Sequence, residues 1–269
     1  MTEHLYFSLT KHLLSEAVGE FTQATQSPFL RAAAEGRLDK KTLREWLVND
    51  RKYIHAYIIG AEGMLAELQN STGGAADEKL DKSEVALATW LTEAVANVRR
   101  EEQFFIEVAA RYGIDLEPRA DDAQLDCVLV YKTLFECVPH NRDVTDPWWL
   151  DAAVLFWATE ICYLEAWSWA KTQLNDQSPG KDADGGALRT EFIPNWSSPE
   201  FAAFVDRLAH IIDEAVNKMS EDIEYSKDTA TQRTTDVRTR TFVRKTVENP
   251  QKLFLKVLET ERSFWPKLE

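Results

Sequence analysis

The sequence predicts an all-α fold, and three observations lead there. Apolar side chains recur at close to 3.6-residue spacing along most of the 269 residues. No segment sustains the alternation of a strand, and no internal repeat divides the chain. Helix start and stop signals fall at the ends of the periodic segments. A hydrophobic fraction of 44% with 9 tryptophans supplies a sizeable core, so residues 1–269 are read as one helical domain.

In chain order, helices are expected over residues 5–24 and 27–35, then over 41–69. In the third, Leu43, Trp46, Leu47, Tyr53, Ile54, Tyr57, Ile58 and Leu65 make an apolar stripe. Ser83 and Glu84 open a second long pattern that runs through Val108 and closes at Tyr112-Gly113, where glycine suits a left-handed helix end. Further helices are expected over 121–138, 147–173, 197–225 and 248–265. Ser198-Pro199-Glu200 supplies the start signal for the seventh, with proline in the first turn. NSTGGAADE (70–78) and NDQSPGKDADGG (175–186) read as loops, and the Thr-rich stretch 229–243 is left unassigned.

A net charge of −14 argues against nucleic acid or an anionic membrane surface as partner, because their phosphates would be repelled. No run of 18 apolar residues offers a membrane span. The N-terminus lacks a basic segment followed by a long apolar one, so no secretory signal is read. Cys127, Cys137 and Cys162 form no CxxC pair, which suits a reduced, cytoplasmic protein. The five histidines make no HxxxH, HExxH or Glu-x-x-His pattern, and no GxGxxG, P-loop or GxSxG is present. Neither a metal nor another cofactor is expected.

Three carboxylates stand out. Between Ala152 and Ala170 the only charged side chains are Glu160 and Glu165, set among Phe156, Trp157, Ile161, Leu164 and Trp167. Five residues apart, the two point about 140° from each other, so one can face solvent while the other faces inward. A buried carboxylate is costly unless it has a partner or a function. Asp50 lies three residues before Tyr53 and shares its face; it either approaches the core or pairs at the surface with Arg51 or Lys52. Glu160 repeats that spacing with Tyr163. Glu261, four residues before Trp265, reads on periodicity as a surface residue of a terminal amphipathic helix.

Several stretches resemble the TenA (thiaminase II) family, which has a heme-oxygenase-like fold. ATQSPFLRAAAEGRLDKKTLREWLVNDRKYIHAY (24–57) is similar to that family's H-P-F-L start and its helix ending in Q-D-x-x-Y, with Asn49 in place of glutamine. FFIEVAARYGIDLE (104–117), LVYKTLFE (129–136), ATEICYLEAWSWA (158–170), WSSPEF (196–201) and ETERSFW (259–265) follow in the family's order. The resemblance implies a pocket with Asp50, Tyr53, Tyr131 and Tyr163 against an aminopyrimidine and Glu261 as the C-terminal carboxyl. Trp196 stands where the family has tyrosine. Thr159 stands at the position of the nucleophilic cysteine, with Glu160 beside it. That departure resembles the eukaryotic-type TenA_E subgroup, which lacks the cysteine.

What this implies is an aminopyrimidine hydrolase of thiamine salvage. Glu160 and Glu261 would be catalytic; Asp50, Tyr53, Tyr131, Tyr163 and Trp196 would bind a small pyrimidine, without cofactor. The family's members form dimers or tetramers. An oxidase on the same fold, cofactor-free or di-iron, and a pyrimidine-binding regulator without chemistry are the competing implications.

Overall fold

The computed structural model describes residues 6–71, 80–120, 122–138, 147–175, 179–227 and 240–268, apart from the side chains of 222–227. The described residues are helical with no strand. The helices are α1 (Leu9–Glu16), α2 (Val18–Thr25), α3 (Pro28–Ala34), α4 (Lys40–Ser71), α5 (Lys82–Tyr112), α6 (Asp126–Cys137), α7 (Leu150–Thr172), α8 (Ile193–Trp196), α9 (Pro199–Lys227) and α10 (Asn249–Arg262). A π-helical turn precedes each of α8 and α10, at Leu188–Phe192 and Arg244–Glu248.

α7 lies at the centre because it is apolar nearly all round, and a helix of that kind must be covered on every side. It packs against α10, α9, α2, α8 and α3. α4 forms a second layer with α5 and α6. The two long helices end as their sequences dictate. Asp81 caps α5, accepting from the Glu84 amide at 2.8 Å, while Glu84 accepts from the Asp81 amide at 3.0 Å. This reciprocal pair puts the first helical residue at Lys82, just before the Ser83-Glu84 start that the sequence suggested. Gly113 closes α5 at φ +65°, with its amide bonded back to Ala109 and Ala110. α4 and α6 approach so closely at Gly60 that a Cβ there would lie 2.7 Å from the Phe135 Cβ.

Other boundaries also differ from expectation, each for a physical reason. The single helix expected over 5–24 is broken at Ala17. The halves serve different neighbours: α1 packs on α9, whose Asp213 binds Ser8 and Thr10, whereas α2 packs on α7 and α10. The helix expected over 121–138 begins only at Asp126. Side chains of α4 satisfy the preceding backbone in an irregular path. Arg44 donates to the Asp115 and Glu117 carbonyls and to the Asp122 carboxylate, and Asn49 bonds both Ala123 and Leu125. The last helical stretch starts earlier than 248, since residues 240–243 are helical and run into the π-helical turn. The short helix at 193–196 was not expected. The expected loop at 70–78 falls mostly, and that at 175–186 partly, outside the described residues, as do 229–239 of the Thr-rich stretch. None of the described helices is long and apolar enough to cross a membrane.

Candidate active site

One face of α4 carries Asp50, Tyr53 and Tyr57 at positions i, i+3 and i+7, which brings all three toward α6 and α7. Asp50 is 2% exposed, and its Oδ2 accepts from the Tyr163 hydroxyl at 3.0 Å. The surface pairing with Arg51 does not form: Arg51 lies off that face and bonds Glu102 at 3.0 Å. Glu160 is buried and Glu165 exposed, as their 140° separation allows. Glu160 Oε1 accepts from the Tyr57 hydroxyl at 2.6 Å. Glu261 is not at the surface but 3% exposed, and its Oε2 accepts from the Tyr131 hydroxyl. Its C-terminal helix packs on α7 and touches α6, which buries this face.

Tyr53 meets the ring of Tyr131 edge-on at 5.0 Å between centroids, and its hydroxyl sits against Thr159. Trp196, on α8, is 5.2 Å from Tyr163 between ring centroids and stacks on Phe192 at 5.0 Å. Its indole Nε1 donates to Glu101 of α5. Asp50, Glu101, Glu160 and Glu261 thus each accept one bond from an aromatic side chain, and none forms an ion pair with a described residue.

Burial without a countercharge favours the protonated form of a carboxyl. It pushes Glu160 up to about 8, the Tyr57 bond opposing and the charge of Glu101 reinforcing the shift. Glu101 is raised to about 7 by burial, opposed by the Trp196 bond, and Glu261 to about 7 by burial, opposed by Tyr131. Burial raises Asp50 well above the usual carboxylate range, with Glu101 and Glu261 adding to the effect and Tyr163 opposing it. Burial likewise raises Tyr53, Tyr57, Tyr131 and Tyr163, so they act as neutral hydrogen-bond donors. The cluster can therefore hold and pass protons near neutrality.

Around this cluster Glu261 Oε1, Trp46 Nε1 and Trp167 Nε1 are buried with no hydrogen-bond partner among the described residues. Buried polar atoms are rarely left so. A cavity of about 320 Å³ opens between α5, α8 and α9 and reaches Glu160 on α7; Glu101, Phe104, Trp196, Phe201 and Phe204 line it too. Of the seven residues expected at the site, Glu160 and Trp196 border this cavity. The other five are packed around Glu261 and Asp50, behind its wall.

Thr159 is buried and donates to the Phe156 carbonyl at 2.9 Å. Burial raises the Cys162 thiol well above its ordinary value, which keeps it protonated and un-nucleophilic. No three His, Cys, Asp or Glu side chains among the described residues are grouped as ligands of a metal. His4 and His140 lie outside those residues.

Sequence reasoning missed two site residues. Tyr57 was counted only as part of the apolar stripe, although it stands seven residues from Asp50 on the same face. Glu101 sits in the charged run RREEQ, which reads as surface. The signal was its place three residues after Val98 and four before Phe105, both buried.

No family model matches the chain. A curated relative, a "probable transcription factor" of Fusarium pseudograminearum, is 26% identical over 246 residues, which are 79% of this chain and 46% of the relative. The chain thus spans less than half the length of that protein. Among solved structures, a TenA homologue from Pyrococcus furiosus superposes with a TM-score of 0.65 at 21% identity, covering 96% of this chain and 98% of the other. A TenA family transcription regulator from a Silicibacter species gives 0.66 at 15% identity over 98% and 97%. A TenA homologue of P. horikoshii gives 0.64 at 13% identity over 96% and 97%. The fold of this chain is that of the TenA homologues, an all-α heme-oxygenase-like bundle.

Proposed function

We propose that the chain is an aminopyrimidine hydrolase of the TenA type, in the TenA_E subgroup that lacks the nucleophilic cysteine. Its substrates are breakdown products of thiamine, and its product is hydroxymethyl pyrimidine. The observation that carries this reading is the set of four carboxyls, three buried and Glu101 half-buried, each held by one aromatic donor and left without a basic partner. Such groups exchange protons near neutral pH, as C–N hydrolysis requires.

Asp50 grips a ring nitrogen and the adjacent exocyclic amine with two hydrogen bonds. Tyr163 fixes its carboxyl, and Tyr53 and Tyr131 border the ring. Glu261 accepts a proton from water, whose oxygen bonds to the exocyclic methylene carbon as the C–N bond breaks. Glu160 keeps the leaving nitrogen protonated, so it departs as ammonia. The sum is aminomethyl pyrimidine plus water giving hydroxymethyl pyrimidine plus ammonia.

Cleavage of thiamine itself calls for a soft nucleophile to displace thiazolium. Thr159 is a poor one, because its hydroxyl is buried and already bonded to a carbonyl.

The test is incubation of purified protein with aminomethyl pyrimidine, its N-formyl derivative and thiamine, with product detection. Turnover of the aminopyrimidines without thiazole release supports the reading. Thiazole release at a comparable rate overturns it. Tight pyrimidine binding with no turnover favours a ligand-sensing protein instead, a reading that agrees with the regulator names of two relatives.

A further inference from the structure

Glu101 and Glu160 approach the 320 Å³ cavity from different helices, α5 and α7, and both border it. Each makes a single hydrogen bond, from Trp196 Nε1 and from the Tyr57 hydroxyl. A carboxylate has room for about four donors, so acceptor capacity remains on both. Glu160 is only 9% exposed, and its other oxygen has no hydrogen bond from a described residue. The cation on the cavity wall, Arg100, is exposed at the rim and turns its guanidinium to Asn97. The remaining lining is largely aromatic: Phe104, Trp196, Phe201 and Phe204.

We infer that Glu101 and Glu160 form a two-carboxyl seat for a protonated primary amine, and that Glu101 selects the cationic aminomethyl pyrimidine over neutral analogues. This rests on the hydrolase reading and adds to it a specificity-determining residue on a different helix. An ammonium group brings three donors and a positive charge to two under-used acceptors. A formamide turns a carbonyl oxygen toward the same two carboxyls and gains nothing from their charge. The aromatic walls favour a cation at this end of the site, next to the ring that Asp50 holds behind them.

The experiment compares equilibrium binding of aminomethyl pyrimidine and of neutral hydroxymethyl pyrimidine to the full chain. Tryptophan fluorescence is read after rapid mixing, before turnover. The wild type should prefer the amine by about 10- to 100-fold, the range of a hydrogen-bonded charge. Glu101→Gln should abolish that preference while leaving hydroxymethyl pyrimidine binding unchanged, because the amide oxygen still accepts from Trp196. Glu101→Asp should keep part of it. An amine preference that survives Glu101→Gln overturns the seat and leaves the hydrolase reading standing. Parallel loss of both ligands in Glu101→Gln makes Glu101 a structural residue and overturns the seat as well. Failure of the wild type to bind either pyrimidine sinks both readings.

Discussion

Tyr57 and Glu160 are 103 residues apart in sequence, yet the tyrosine hydroxyl donates to Glu160 Oε1 at 2.6 Å. The bond joins α4 to α7 and fixes one oxygen of the carboxyl from the core side. The other oxygen is left for the cavity. Since the bond favours the charged form, it also restrains how far burial raises the pKa of Glu160.

Tyr57→Phe should therefore move the pKa of Glu160 further up. Turnover needs the proton that Glu160 and the substrate amine share, and that proton is lost as pH rises through the pKa they set together. The alkaline limb of the rate profile, placed near 8 by Glu160, should shift to higher pH in the variant. Stability should fall by about 1 kcal/mol for one lost hydrogen bond. A pH–rate profile over pH 6–10 on both proteins checks this; an unmoved limb detaches Glu160 from the profile.

The same carboxyls set how stability varies with pH. An unfolded glutamate titrates near 4.5, whereas Glu101, Glu160 and Glu261 are raised to about 7, 8 and 7. Below 4.5 both states hold these protons. Between 4.5 and about 8 the folded protein holds protons that the unfolded chain has released, so raising the pH draws the equilibrium toward unfolding. Tm should fall from pH 5 to pH 8 and the decline should level off above. Glu160→Gln, which has no proton to lose, should flatten it and be more stable than wild type at pH 8.5. Thermal melts across that range decide; a Tm that climbs from pH 5 to 8 contradicts the assignment.

Gly60→Ala tests the closeness of α4 and α6. Its Cβ would meet the Phe135 Cβ at 2.7 Å and the Phe135 carbonyl oxygen at 3.0 Å, one of them backbone. Phe135 in turn packs edge-on against Tyr57 at 5.3 Å and Tyr53 at 5.8 Å. The substitution should cost about 1–3 kcal/mol, the usual range for overpacking. It should also reduce activity by displacing those rings. Urea denaturation measures the first effect and turnover the second.

Much of this arrangement was legible from local patterns. The 3.6-residue stripe on α4 placed Tyr53 inward, and the glycine after Tyr112 marked the end of α5. A lone glutamate in an apolar helix singled out Glu160. Where sequence reasoning fell short, the cause was a contact made at long range. The break at Ala17 separates α1, anchored to α9 where Asp213 binds Ser8 and Thr10, from α2, which packs on α7 and α10. The late start of α6 comes from Arg44 and Asn49, which satisfy the backbone before it. Glu261 read as a surface residue because the amphipathic pattern of its helix cannot show that α6 and α7 cover that face. Glu101 was hidden by its charged neighbours, although Glu102 beside it is the one that pairs with Arg51.

The division of labour among the carboxyls is tested most directly by the turnover of Glu160→Gln. Glutamine keeps the size of the side chain and can still accept from Tyr57, but it cannot keep the leaving nitrogen protonated. With aminomethyl pyrimidine as substrate, kcat should drop by roughly 10²–10⁴-fold, the usual cost of losing one acid–base group. Binding of hydroxymethyl pyrimidine, gripped by Asp50, should change little. Turnover by Glu160→Gln at the wild-type rate would contradict the mechanism, whatever the fold.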